Sequence, residues 1–208
     1  MASVSLSEIS FAITKHKDNL EELIKGSSFK PIWFEKLKSN PNKAKSFTGN
    51  FAVTYHFRSK GHGGKVHDFG IRMWHSSVTN DDYERYRKLN NKLSQLNKKS
   101  PKHIRFAPME LLEPPTDGFL VKRKRRPCLK MEWQEAENLD IFVNNLMKDR
   151  KLEPSQKSSI LRDLKQKIIE VGNLLHQSRS SHGDLSSGNL MVSQNPEGVI
   201  TIHIIDFD

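Results

Sequence analysis

The stretch HGDLSSGNL, residues 182 to 190, sets Asp184 and Asn189 five positions apart, and an apolar segment further on ends in IIDFD, with Asp206 inside it. These are oxygen-bearing side chains on a loop and at a strand end. They suit Mg2+, a small hard cation that favours carboxylate, amide and phosphate oxygens. Asp residues often do no more than cap loops, but a carboxylate at the end of an apolar strand is costly to bury without a partner. The pattern therefore points to a Mg2+ site, and the rest of the chain must say whether a nucleotide belongs there.

Several elements must position that loop. Residues 155–177 fit a helix opened by Pro154 and Ser155, with Leu161, Leu164, Ile168, Val171 and Leu175 at spacings of three and four. Behind the loop, LMV and VITIHIIDF read as two strands joined by SQNPEG. Upstream, FAVTYHFRS and VHDFGIRMWH flank the turn KGHGGK and predict a β-hairpin. Thr79 and Asp82 predict a capping box, followed by Tyr83, Tyr86, Leu89, Leu93 and Leu96 at helical period. The segment from Ile104 to Trp133 reads as short strands with a turn at Lys122 to Arg126. Residues 14–25 suggest a short helix with Leu20, Leu23 and Ile24 on one face and Gly26 as its stop, while FKPIWFEKL fits a strand or a helix. The order predicts an α+β arrangement in two lobes rather than a βαβ repeat.

Composition bounds the function. With 208 residues, 35% hydrophobic and 28% charged, the chain suits a folded protein of one large domain or two small lobes. The single cysteine, Cys128, rules out an intrachain disulfide, and no Cys/His zinc spacing occurs. Cys128 is expected as a small buried apolar residue. A formal charge of +10 permits an anionic partner without specifying one. No transmembrane span or signal-peptide core is visible, so a cytoplasmic location away from membranes is expected.

HGDLSSGN followed by IDFD resembles the catalytic loop and metal motif of the protein kinase superfamily. That superfamily includes the protein kinases, with His-Arg-Asp and Asp-Phe-Gly, and the aminoglycoside and choline phosphotransferases. The His-Gly-Asp and Asp-Phe-Asp forms are similar to the small-molecule branch and to bacterial kinase-like proteins. LKMEWQEAENLDIFV resembles a kinase strand, hinge and following helix, GNFAVTY the second half of a glycine-rich loop, and FGIRMW the strand that carries the ATP-contacting Lys. The resemblance implies a β-rich small lobe over 45–131 and a hinge with part of a helical large lobe over 132–208. Residues 1–44 would be an N-terminal extension with a short helix. The likeness stops at the metal motif, so the chain is expected to be either a fragment of a longer kinase or a minimal one.

The resemblance also implies roles. Asp184 would orient or deprotonate the attacking hydroxyl, and His182 would brace its loop. Asn189 and Asp206 would hold Mg2+ on the phosphates of ATP. Gly49 and Ala52 would border the nucleotide, Met131 would stand at the gatekeeper position, and the backbone of Glu132 to Gln134 would meet the adenine. Arg72 stands where Lys is usual and would contact phosphate, with Glu84 either its carboxylate partner or one half of a solvated helix-face pair. Ser186 replaces a Lys usual in protein kinases, few glycines remain in the phosphate loop, and Asp208 replaces the last glycine of Asp-Phe-Gly.

Two classes of function are expected from this. One is an ATP- and Mg2+-dependent phosphotransferase acting on a protein hydroxyl, with a small-molecule acceptor as its variant. The other is an inactive kinase-like protein that binds nucleotide or serves as a scaffold. The run KRKRR, residues 122–126, suggests a nucleic-acid patch or a solvated turn, and the absence of interleaved aromatics favours the turn.

Overall fold

Ser5 and Glu8 decide where the chain first becomes helical. The Ser5 hydroxyl accepts from the Glu8 N–H at 3.3 Å, and the Glu8 carboxylate accepts from the Ser5 N–H at 2.9 Å. This reciprocal cap satisfies two N–H groups that a helix start leaves open. The computed structural model describes residues 4–16, 20, 24–25, 32–34, 36–37, 40–48, 52–60, 64–75 and 79–207. Along them run α1 (Leu6–Lys15), β1 (Ile24–Lys25), β2 (Ile32–Phe34), β3 (Lys36–Leu37), β4 (Asn40–Ala44), β5 (Ser46–Thr48), β6 (Ala52–Lys60) and β7 (Val66–Trp74). Then come α2 (Asn80–Lys99), β8 (Ile104–Phe106), β9 (Met109–Leu112), β10 (Gly118–Val121), β11 (Lys124–Arg126) and β12 (Cys128–Glu132). The last are β13 (Glu137–Asn138), α3 (Leu139–Lys148), α4 (Pro154–Gln177), β14 (Leu190–Gln194) and β15 (Ile200–Ile204). The architecture is mixed α+β with mainly antiparallel sheets. No helix among the described residues is long and apolar enough to cross a membrane.

The chain divides into two compact units, Met1–Asn90 with Pro108–Trp133, and Asn91–Ala107 with Gln134–Asp208. The first is built on β6 and β7, which pair antiparallel from Ala52↔Trp74 to Lys60↔Val66. The expected hairpin is present; Gly61 and Gly63 of its turn lie outside the described residues. The sheet order is β2-β6-β7-β12-β9, with β5 also on β6. Side chains alternate across a strand. One face therefore carries Val53, Tyr55, Phe57, Phe69, Ile71 and Met73, all buried in a core with Ile9, Ile13, Ile24, Ile32, Phe119 and Cys128. Ile9, Ile13, Ile24 and Ile32, all before residue 45, are thus part of this core.

Two expectations are corrected here. A helix not foreseen in the sequence occupies Leu6–Lys15, because the Ser5–Glu8 cap starts it and Ile9, Ala12 and Ile13 form its buried stripe, and the helix expected over 14–25 does not reach Ile24 and Lys25, which form β1. Ile24 is a strand residue paired with Phe119, whereas Leu20 is helical and buried; residues 17–19, 21–23 and 26 lie outside the described residues. The segment FKPIWFEKL contributes β2, which pairs with β6. The second correction concerns KRKRR. Only Lys122 and Arg123 form the turn, while Lys124–Arg126 returns as β11 against β10. Cys128 is fully buried, which pushes its thiol pKa up.

The capping box at the start of α2 is present: the Thr79 N–H and hydroxyl donate to Asp82 Oδ2 at 2.9 and 2.8 Å, and the Asp82 N–H returns to the Thr79 hydroxyl at 3.2 Å. These bonds, the one from the Thr79 N–H foremost, hold the Asp82 carboxyl below its usual range. In the first unit Tyr83 and Tyr86 of this helix pack near the Trp74 ring.

The second unit centres on the β14–β15 hairpin, with β13 on one side and β8 on the other; β8 pairs parallel to β15. Leu190, Val192, Ile200, Ile202 and Ile204 are buried. Helix α4 starts at Pro154 behind a Glu153–Gln156 capping box and buries Leu164, Val171 and Leu175. Lys92 donates to the Ser178 carbonyl at 2.8 Å, placing a cation at the negative end of α4. The Asn97 amide donates to the Phe106 carbonyl at 2.7 Å and accepts from the Phe106 N–H at 2.8 Å, so one side chain serves both backbone groups of a β8 residue.

Lys122 and Arg123 both have left-handed backbones, with φ of 48° and 62°. A two-residue hairpin turn of this kind favours Asn-Gly, because an ordinary side chain at positive φ costs roughly 1–2 kcal/mol. The ion pair between Lys122 and Glu8 is exposed and weak in water. The double substitution Lys122→Asn/Arg123→Gly should therefore stabilise the fold by about 1–2 kcal/mol. Urea unfolding of the two proteins measures this, and a lower midpoint in the variant would count against the strained turn.

Candidate functional site

His182, Asp184, Asn189 and Asp206 all belong to the second unit. Helix α4 delivers the chain to the loop, and the β14–β15 hairpin receives it. Gly183 has φ of 86°, a region open to glycine, which explains the middle residue of His-Gly-Asp. His182 is buried, and its Nε2 donates to the Ile205 carbonyl at 2.7 Å, the residue directly before Asp206. The imidazole also lies 4.2 Å from the Phe207 ring. The start of the loop is thereby fastened to the end of the hairpin.

Asn189 closes the loop from its other side. Its Nδ2 donates to the Asp184 carbonyl at 2.9 Å and to Asp184 Oδ2 at 3.2 Å. The Asn189 carbonyl accepts from the Ile205 N–H at 3.1 Å, so this residue too is tied to the chain just before Asp206. With its nitrogen committed to Asp184, the Asn189 amide offers Oδ1 as its remaining group, an oxygen. Asp206 is half-buried with φ of 59°, an uncommon backbone for a residue other than glycine. An amide oxygen and a carboxylate fit Mg2+, which completes its octahedron with phosphate oxygens and water. Asp184 is exposed at the same loop. Asp208 lies outside the described residues.

Of the remaining predicted residues, Ala52, Arg72, Glu84, Met131 and Glu132 belong to the first unit and Gln134 to the second. Pairing sets Ala52 opposite Trp74, Thr54 opposite Arg72 and His56 opposite Gly70, while Leu129 and Met131 of β12 sit opposite Arg72 and Gly70. The pleat then places Ala52, Arg72 and Met131 on the face turned away from the apolar core. Gly49 lies outside the described residues. Glu84 is exposed, with its carboxylate 3.7 Å from Lys88 Nζ, which is the solvated helix-face pair. The Glu132 N–H donates to the Pro108 carbonyl and the Trp133 N–H to the Asp68 carbonyl, each at 3.3 Å. Of the three N–H groups from Glu132 to Gln134, two are thus engaged within the sheet.

The sequence reading passed over the neighbours on this face. A Cβ built on Gly70 would lie 3.1 Å from both Met131 Cγ and Thr54 Cγ2 and 3.6 Å from the Trp133 ring, so glycine lets these side chains close over a buried backbone. Trp133 stacks on His56 at 3.9 Å with the rings 4° from parallel, and Phe47 lies 5.7 Å from Trp133. His56 Nε2 and Arg58 Nε both donate to Asp68 Oδ1, at 2.6 and 2.8 Å. Burial alone would raise the Asp68 pKa, but the bonds from Arg58 and His56 win and hold it below the usual carboxylate range. Burial dominates at His56 and lowers its pKa in spite of Asp68. Counting back from Arg72 in steps of two reaches Gly70 and Asp68, so strand alternation was a signal for these residues.

The hairpin beneath Asp206 contains a buried histidine. His203 Nε2 lies 2.9 Å from the Ser193 hydroxyl, and burial, followed by the Arg105 charge, lowers its pKa from 6.5 to about 4. A depressed histidine pKa means that the unfolded chain takes up the proton first. The stability is therefore complete above the unfolded value and is lost as pH falls toward the folded one. Between about pH 6.5 and 4 the loss should approach roughly 3 kcal/mol. Denaturant unfolding across this range, with His203→Gln as control, measures it. The control should flatten the pH dependence, and an unchanged slope would remove His203 as its cause.

Neither a protein-family model nor a curated protein sequence matches the chain, so the chemistry of this site is carried by its own residues and geometry.

Proposed function

We propose that this chain is an ATP- and Mg2+-dependent phosphotransferase of the protein kinase superfamily, with a two-lobed kinase-like fold and a protein Ser or Thr hydroxyl as acceptor. The observation that carries this reading is the pair of bonds from the Asn189 amide to Asp184, on a loop that His182 fastens to the residue before Asp206. Such a loop keeps an amide oxygen and a carboxylate for a metal, and a second carboxylate for a hydroxyl. Phosphoryl transfer asks little covalent chemistry of a protein and much positioning and charge neutralisation.

Mg2+ would supply charge neutralisation on the transferring phosphate. Asn189 Oδ1 and Asp206 are its ligands in this reading. Asp184 orients the attacking hydroxyl and takes its proton. The left-handed backbone of Asp206 supports the assignment, because strained residues persist where the surroundings over-determine them and cluster at functional sites. On the sheet face of the first unit, Thr54, Met131 and Trp133 close over Gly70, and Arg72 on the same face carries the guanidinium that suits a phosphate.

Asp184 and Asp206 should fail differently. Mg-ATP at about 100 times its dissociation constant should raise the wild-type melting temperature, through roughly 2.7 kcal/mol of linkage. Asp206→Ala should lose most of that shift. Asp184→Asn should keep it, yet lower transfer from labelled ATP by about 100- to 10,000-fold. Equal wild-type melting curves with and without Mg-ATP would overturn nucleotide binding, and an Asp184→Asn protein retaining most transfer would overturn the role of the loop. Binding without transfer in the wild type would favour the inactive scaffold, as the Arg72 replacement also does.

A further inference from the structure

A concave surface lies in the first unit, built from α1 and the β10–β11 turn. The cavity measures about 780 Å³. Phe11, Ala12 and Leu120 give it an apolar floor, and Lys15, Lys122 and Arg123 stand around it. Phe11 is 68% exposed, on a helix that turns Ile9, Ala12 and Ile13 into the core. Among the described lining residues the one carboxylate, Glu8, is already engaged by Lys122.

The turn adds an independent observation. Lys122 and Arg123 occupy two consecutive left-handed positions where Asn-Gly would fit without strain. The backbone is strained at the two residues that bring cations to the cavity. Observed strain of this kind points toward function rather than stability.

We propose that this hollow is a docking site for an acidic protein segment bearing a bulky apolar side chain. Charge complementarity selects the partner: a cationic rim on a chain of net charge +10 meets carboxylates, and the apolar floor meets one large side chain. A membrane surface fits less well. A bilayer is flat, and α1 turns most of its apolar residues inward, leaving Leu6 and Phe11 outward, too little to embed in lipid. Nucleic acid fits less well too, since only Phe11 and His16 of the lining offer rings for stacking. Docking here is independent of phosphoryl transfer and is read without ATP.

Fluorescence anisotropy with labelled octapeptides tests the proposal. The acidic peptide EDDLFDEE should bind, and should bind more weakly as salt is raised. KKKLFKKK, and EDDSSDEE without the apolar anchor, should not. Phe11→Ser and Lys122→Asn/Arg123→Gly should each weaken EDDLFDEE by at least about tenfold. Their melting temperatures should stay at or above the wild type, since one replaces an exposed ring and the other relaxes a turn. Lys15→Glu, also exposed, supplies a third variant if either melts early. The proposal is overturned if EDDLFDEE shows no binding up to about 1 mM. It is overturned equally if the well-folded variants bind like the wild type, or if phosphatidylserine vesicles or a 20-nucleotide RNA bind through Phe11 and Lys122 while the peptide does not.

Discussion

The pleat of the β6–β7 hairpin governs the first unit. Six of its side chains, Val53, Tyr55, Phe57, Phe69, Ile71 and Met73, enter the core from one face. Burying each large apolar side chain is worth about 1.5–3 kcal/mol. A slip of one residue would turn this set out to water and drive Arg58, Asp68 and Arg72 inward, so the register is held by far more than any single hydrogen bond. The same alternation leaves the opposite face for Thr54, His56, Gly70 and Arg72. Core and candidate ligand face are two consequences of one pairing.

In the second unit short polar links do comparable work. The apolar β14–β15 hairpin provides a rigid base, but it does not by itself fix a loop of small polar residues. His182 and Asn189 do this with hydrogen bonds to the backbone of Ile205, one through a side chain and one through a main-chain carbonyl. Both bonds end on the residue before Asp206, and loop and strand end therefore act as one piece. Arrangements of this kind suit chemistry that depends on position rather than on flexible reach.

The left-handed residues divide along the same line. Gly183 takes its conformation at little cost, having no Cβ. Lys122, Arg123 and Asp206 take theirs against a steric penalty. Lys122 and Arg123 place cations beside an apolar hollow, Asp206 a carboxylate at the end of a buried strand, and Arg179 shares the conformation just after α4.

Much of the local structure was legible in the sequence. Period and capping residues predicted α4, the Thr79–Asp82 box, the β6–β7 hairpin and the β14–β15 strands, because these depend on neighbours a few positions away. The helix Leu6–Lys15 was missed since the leucines near residue 20 drew the reading away from Ser5 and Glu8, the N-cap pair that determines where that helix starts. The basic run was taken as a turn throughout, although a returning strand can accept Lys124 to Arg126 when β10 lies alongside. The loop motif itself was visible as residue types and spacing, which named Asp184, Asn189 and Asp206 without their geometry. Only the tertiary structure decided that the Asn189 nitrogen turns to Asp184, that His182 holds Ile205, and that Gly70 shares a face with Thr54 and Met131. Those contacts join residues brought together by sheet pairing and hairpin closure, and short-range patterns carry no information about which distant backbone a side chain will meet.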